Sequence, residues 1–258
     1  MSVIEKTEAI VLRSVDFRES SKIVTFYTKK MGKIAGIVKG ARQTKNKYGS
    51  SLEPMSYVSL VFYFKEGRDV QTVSSCDIAK PFRNLSDGLD KMAVGMSIVE
   101  LLNNVTPDRH ENSQLFAFVV NSLNSINSAT KNEKNLFFYF EYHLARLLGF
   151  GLQFESCVQC KRILSLVIDS NRYHYSIDRG GLICSNCSGI TGTKFEMTSE
   201  ILKTFREVLS SNNIDLIIET EISNVSTEMI QNFLWTYLRY HIPNLRSLKT
   251  LTVFGKII

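Results

Sequence analysis

Ser56-Tyr57-Val58-Ser59-Leu60-Val61-Phe62-Tyr63-Phe64 alternates along its whole length. Successive side chains of a strand point to opposite sides, so Val58, Leu60, Phe62 and Phe64 share one face and Tyr57, Ser59, Val61 and Tyr63 the other. The first set belongs in a core. Downstream, Lys65-Glu66-Gly67-Arg68-Asp69 is a turn with glycine at its centre and leads into a second run, Val70–Asp77. Upstream, Thr7–Val15, Ser21–Thr28 and Lys33–Lys39 read as three more strands, the last two joined by the tight turn Lys29-Lys30-Met31-Gly32. Five strands between residues 7 and 80, with no helical repeat among them, predict a small closed barrel. An oligonucleotide-binding (OB) barrel is the expected form, and an SH3-like barrel is its structural rival.

Beyond about Asn84 the apolar period lengthens to that of a helix. Leu85–Val105 is predicted helical and stops before Thr106-Pro107, because proline pushes the residue ahead of it out of helical geometry. Asn112–Ile126 follows. A third helix carries Leu136, Phe137, Phe140, Leu144, Leu147 and Leu148 as one stripe and ends at Gly149 and Gly151. Thr198–Ser210 opens on Thr198 as an N-cap. Thr227–Tyr240 is the next helix, and Asn244–Ile258 is expected as a short helix and an apolar tail.

Between these helices lie Cys157-Val-Gln-Cys160 and Cys184-Ser-Asn-Cys187, with twenty-three residues separating the pairs. Two Cys-x-x-Cys knuckles can each offer two sulfurs to one tetrahedral ion, and Lys161 and Gly180-Gly181 supply the turns of a zinc ribbon. Four protein ligands close the shell, so the expected Zn2+ is structural. Redox dithiols or disulfides are the other reading of these cysteines, although no thioredoxin-like pattern surrounds either pair. His174, between the pairs, reads as a half-buried strand residue, and Cys76 as a small buried hydrophobe. The N-terminus shows no signal-peptide core and no apolar run has the length of a membrane span, which predicts a cytosolic protein with reduced thiols.

The net charge of +6 is unevenly placed. Residues 1–80 hold fourteen Lys and Arg against eight Asp and Glu, whereas the remaining residues hold seventeen of each. Lys22, Lys29, Lys30, Lys33, Lys39, Arg42, Lys45 and Lys47 occur between Lys22 and Leu52 without one acid. Such a field attracts polyanions. The connection from Gly40 to Pro54 is rich in cations, hydroxyls and glycine and is expected to be exposed and mobile. Tyr48 and an outward Tyr63 offer rings on which bases stack. Phosphate-loop, nucleophile-elbow, His-Glu-x-x-His and dinucleotide motifs are missing from the sequence, so no enzymatic activity is expected.

Several segments in this order resemble the RecO family of bacterial recombination mediators. They are Glu8-Ala9-Ile10-Val11-Leu12-Arg13, Glu19-Ser20-Ser21-Lys22-Ile23-Val24, Val38-Lys39-Gly40-Ala41-Arg42 with Leu52-Glu53-Pro54, Leu147-Leu148-Gly149-Phe150 before Cys157, and Gly180-Gly181 before Cys184. The resemblance implies an α+β multidomain protein. Residues 1–80 would be the OB domain and 81–258 a helical domain interrupted by a zinc module at 152–192. It implies binding of single- and double-stranded DNA, strand annealing, and engagement of RecR and single-stranded DNA-binding protein so that RecA loads on coated DNA. Carried onto this chain, the DNA surface would be Lys39, Arg42, Lys45, Lys47 and Tyr48, with Lys22, Lys29, Lys30 and Lys33 nearby. The family's contact for single-stranded DNA-binding protein lies in the helical domain. An adaptor for RNA or a transcription complex, built from the same barrel and ribbon, is the alternative function; a scaffold whose lysines serve solubility is a third.

Overall fold

The computed structural model describes residues 2–164, 172–187, 189 and 192–254. By compactness the chain divides into Met1–Ser128 with Arg246–Ile258, and Ala129–Leu245.

The first unit is built on five strands, β1 (Val3–Phe17), β2 (Ser21–Thr28), β3 (Gly32–Val38), β4 (Tyr57–Phe64) and β5 (Val70–Lys80), closed in the order β1-β2-β3-β5-β4. Only β3 and β5 pair in parallel. This is the partly Greek-key order of an OB barrel. The fifteen-residue β1 serves both edges: Val3–Ile10 pair with β4, and Ala9–Phe17 pair with β2. A bulge between Val11 and Arg13 bends the strand between its two partners. Ala9, Val11, Val24, Phe26, Ile34, Val38, Val58, Leu60, Phe62, Val73 and Cys76 fill the interior.

Ile10, Leu12 and Tyr27 are also buried, so β1 and β2 are covered on both faces. The cover comes from α1 (Leu89–Val105), which packs on β1, and α2 (Ser113–Ser128), whose Phe116 ring lies 6.2 Å from Tyr27 and 6.3 Å from Tyr57. Compactness therefore groups these two helices with the barrel, whereas the sequence division falls after residue 80, where the last strand ends. Thr106 ends α1 in extended conformation ahead of Pro107.

The 40–54 connection is anchored rather than loose. Ala41, Ser51 and Leu52 are buried, and Ser51 Oγ donates to Cys76 O at 2.8 Å. Arg42 N donates to Ser20 O at 3.1 Å, and a 3-10 turn spans Gly49–Leu52. The expectation of a mobile loop is thus corrected at both ends. Two small side chains and one leucine suffice to pin a segment whose composition suggested nothing to bury.

In the second unit α3 (Glu133–Leu147) is buried on most of its circumference, including Leu136, Phe137, Phe138, Phe140, Leu144 and Ala145. Gly149, at φ +94, follows its end in the left-handed region that glycine enters without strain. The cysteine segment carries a three-stranded sheet, β6 (Tyr173–Ser176), β7 (Gly181–Ile183) and β8 (Lys194–Met197), in the order β7-β6-β8. Next comes α4 (Ser199–Lys203), capped by Thr198 Oγ1, which accepts from Ile201 N at 3.3 Å. It runs into a π-helical turn at Thr204–Leu209, so the helix expected over 198–210 changes register halfway. A short α5 (Ile214–Glu219) and a long α6 (Asn224–His241) complete the unit.

The segment after Arg246 returns to the first unit as α7 (Lys249–Phe254). Glu100 of α1 accepts there from Lys249 N at 2.8 Å, Thr250 N at 2.9 Å and Thr250 Oγ1 at 2.6 Å. Residues 255–258, expected as an apolar tail, lie outside the described residues. No described helix is long and apolar enough to cross a membrane.

Gly32 closes the β2–β3 turn at φ +63, and a Cβ built there would meet His110 O at 2.0 Å. Gly32→Ala therefore combines left-handed strain with a backbone clash and is expected to destabilise the chain by more than about 1 kcal/mol. Urea denaturation measures it, and an unchanged midpoint would contradict the close approach.

His143 supplies a pH dependence. Burial, and then the Arg146 guanidinium, lower its pKa from 6.5 to about 4, against the opposing pull of the Leu209 carbonyl that accepts from its Nε2 at 3.0 Å. The folded state thus holds His143 neutral, and its contribution is complete above the unfolded pKa of about 6.5. Stability should fall as pH drops from there toward 4, and His143→Gln should flatten that part of the profile.

Candidate functional site

The first cysteine pair lies at the tip of a hairpin. Leu164 N donates to Glu155 O at 2.9 Å, Ser156 bridges Ile163, and Cys157 N donates to Arg162 O at 2.8 Å. The chain turns back through Lys161, at φ +62, whose N–H donates to Cys157 O at 2.9 Å. The second pair follows β7 directly and forms a 3-10 turn at Ser185–Cys187, with Cys187 N donating to Cys184 O at 2.9 Å. Val158 N to Leu182 O, 2.8 Å, ties the two pieces together.

The result brings the sulfurs of Cys157, Cys160, Cys184 and Cys187 within 4.8 Å of one another, with Cys160 and Cys184 Sγ 3.6 Å apart. Thiolates held about 2.3 Å from a central ion form a tetrahedron with edges of about 3.8 Å, so this donor set fits a metal. All four cysteines are free thiols. Cys157 and Cys184 are buried, Cys187 is half-buried and Cys160 exposed. Burial raises the Cys157 pKa, but N–H groups of Cys160, Cys184 and Gln159 outweigh it and bring the thiol down to about 6. Cys187 is pushed up to about 12, first by its thiol hydrogen bond to Cys184. The four thiols converge on one point, and a divalent cation there would replace their protons.

Among the described residues no other group of three or more His, Cys, Asp or Glu has this geometry. His174 lies on β6, opposite Ile183 and Glu196, outside the cluster. Cys76 is buried in the barrel, where desolvation pushes its thiol up to about 12.

The basic residues fall into two groups at opposite ends of the β2–β3 hairpin. That hairpin pairs Lys22 with Val38 at one end and Thr28 with Gly32 at the other, about 20 Å away at the rise of a strand. Lys39, Arg42, Lys45 and Lys47 lie with Lys22 at the first end. Lys39 and Lys45 are exposed and unpaired among the described residues. Arg42 Nε is 3.2 Å from Asp16, and Lys47 Nζ lies 3.3 Å from Ser74 O and 5.3 Å from the centre of the Tyr48 ring. Arg42 Nη1 also donates to Arg18 O, which brings Arg18 to this end. Lys29 and Lys30 occupy the other end, beside Lys6, with Lys29 Nζ 2.8 Å from Glu8.

Lys33 belongs to neither group. It donates to Asn103 O at 2.9 Å, lies 3.4 Å from Asp108, and its side chain is 16% exposed. Its ammonium holds the α1–α2 connection to β3. Tyr48 is half-buried against the barrel core, and burial raises its pKa. Tyr63 is outward and 41% exposed. The surface ion pairs of Lys22, Lys29 and Arg42 are each worth about 0–1 kcal/mol, so phosphate can displace the carboxylates. The sequence reading passed over Lys6 and Arg18 because each precedes the acid-free segment, and only the barrel brings them beside it.

Fold and site together define a class: an OB-type barrel joined to helical elements that carry a four-cysteine centre able to hold a metal ion. The family profile described as recombination protein O N terminal matches residues 1–82, and that described as recombination protein O C terminal matches residues 86–251. A DNA repair protein RecO of Chloroherpeton thalassium is 30% identical over 99% of this chain and 100% of its own length. One from Salinibacter ruber is 39% identical over 57% of this chain and 56% of its own. A third, from Alkaliphilus metalliredigens, is 28% identical over 95% and 97%. The chain belongs to the RecO family of DNA repair and recombination proteins. No enzyme family is indicated by these matches.

Metal analysis of the purified chain should find one ion per molecule, and Cys184→Ser should abolish its retention. Chelation should lower the melting temperature, since a structural metal contributes its binding free energy to folding. An unshifted melting curve after verified metal removal would contradict a structural role.

Proposed function

We propose that this chain is a non-enzymatic recombination mediator that binds single- and double-stranded DNA through its barrel and promotes annealing. With RecR, it would help RecA load onto DNA coated by single-stranded DNA-binding protein. The supporting observation is the cationic barrel end at Lys22, Lys39, Arg42, Lys45 and Lys47, on a chain of the RecO family. Annealing requires two phosphate backbones to approach, and a basic surface reduces their repulsion without reading bases. Lys29 and Lys30 form a secondary patch, while Tyr48 and Tyr63 offer ring faces. Residues 1–80 carry this surface and 152–192 form the metal module of the following helical region.

The resident metal is Zn2+. Four thiolates in a tetrahedral arrangement suit a soft or borderline cation with no redox step, and the closed shell leaves no site for a reaction. The working place of the protein is the bacterial cytoplasm, on the nucleoid.

Five phosphates neutralised on a single strand give a slope near −3.5 in log affinity against log salt, or roughly a hundredfold loss for fourfold more salt. Replacing Lys39, Arg42, Lys45 and Lys47 together by Ala should lower the magnitude of that slope by about 2.8. Lys29→Ala with Lys30→Ala should have a smaller effect. Unchanged affinity and slope in the quadruple variant would reject the barrel end as the DNA surface. Tighter binding of RNA than of single-stranded DNA in competition would favour an RNA adaptor.

A further inference from the structure

We infer that Arg206 is the positioning residue of the metal centre. It is not a ligand; it holds the stem of the hairpin on which Cys157 and Cys160 stand. The inference rests on the metal occupancy proposed above.

The stem of the hairpin is bounded by Phe154 and Leu164. Both carbonyls are held by one guanidinium: Arg206 Nε donates to Phe154 O at 2.8 Å, Nη2 donates to the same oxygen, and Nη2 donates to Leu164 O at 2.6 Å. A planar fork with fixed donor spacing sets the separation of the two stem strands. The ladder above it, Leu164 N to Glu155 O and Cys157 N to Arg162 O, carries that separation up to the first ligand.

Arg206 lies in the π-helical turn Thr204–Leu209, closed by Ser210 N donating to Phe205 O at 3.1 Å. Its neighbour Phe205 stacks on Phe154 with centroids 4.6 Å apart and planes 13° from parallel. Consecutive residues of this turn thus converge on Phe154, the residue just before the hairpin. The Arg206 side chain is 10% exposed, and among the described residues its nearest carboxylate oxygen, on Glu155, is 3.8 Å away. Desolvating a guanidinium is costly, and an apolar side chain would fill the space without that cost. The charge is explained by the two carbonyls it must grip.

Coupling of this kind is reciprocal. A preset stem lowers the ordering needed when the ion draws the two knuckles together, and the bound ion in turn steadies the π turn. Support residues behind metal ligands typically govern about 10–100-fold in metal affinity.

The test uses the full chain, with Arg206→Gln, Arg206→Lys and, as control, Lys203→Ala. Lys203 is an exposed cation of α4 whose Nζ is 3.8 Å from Glu207. Zn2+ affinity is read by competition with a chromophoric chelator, and Co2+ substitution reports the ligand set. Both Arg206 variants should bind about 10–100-fold more weakly while keeping the four-thiolate Co2+ spectrum, and Lys203→Ala should match the unsubstituted chain. Unchanged Zn2+ affinity in Arg206→Gln would overturn the inference, as would a loss of stability equal in metal-loaded and stripped protein. Failure of the unsubstituted chain to bind any ion would instead remove the zinc reading itself. Should the variants not fold, amide hydrogen exchange of the unsubstituted chain decides. Amides 205–210 should lose protection together with 157–164 when the metal is stripped, and retained protection at 205–210 overturns the inference.

Discussion

Closure of the barrel by β1 is the constraint on which the first unit depends. One strand must satisfy backbone partners on two edges, so it is long and bends at the Val11/Arg13 bulge. Every strand of the barrel then has a neighbour on both sides along at least part of its length. With the interior filled and one outer face covered by α1 and α2, charge is confined to the remaining outer surface and to the strand ends. The cations of residues 22–47 are accordingly found at the two ends of the β2–β3 hairpin, apart from Lys33, which the α1–α2 connection enfolds.

The second unit meets a different difficulty. Its sheet has strands of four, three and four residues, too little hydrogen bonding and too little apolar surface to be stable alone. Aromatic packing supplies part of the answer. Phe154, Tyr175, Phe205 and Phe233 contact one another with centroids between 4.6 and 6.2 Å, and Tyr237 reaches 6.0 Å from Tyr175. The four cysteines are gathered beside this sheet by the hairpin of Cys157 and the 3-10 turn that follows β7.

What the sequence revealed followed burial. β4 was legible because one face is inside and the other out, with Val58, Leu60 and Phe62 fully buried. β1 was legible only in its middle. Val3 and Ile4 are more than half exposed and belong to the strand through backbone pairing with Phe64 and Tyr63, which leaves no hydrophobic signature. Leu85 fits a helical period, yet it is buried from a 3-10 turn, so α1 starts four residues later than its pattern suggested. The π turn was invisible, since one inserted residue alters hydrogen bonding without altering composition. At the site the four cysteines announced themselves by spacing, whereas Arg206 stands forty-six residues beyond Cys160 and its partners are carbonyls that every residue possesses.

The same distinction separates the cysteine cluster from the cation clusters. A metal centre needs specific side chains at fixed separation, so its residues can be named from sequence and its geometry follows. A phosphate-binding surface needs only charge that is exposed and close together, and exposure depends on the fold. Lys33 and Lys39 are indistinguishable as letters, yet one is tied to Asn103 and Asp108 and the other is open to solvent. Arg18 has the opposite history. It lies before the acid-free run and next to Glu19, but the β1–β2 turn and Arg42 place it with the loop cations. The cluster of exposed cations is therefore a property of the closed barrel, and changes that reshape the turns of the barrel will move it even when no lysine is touched.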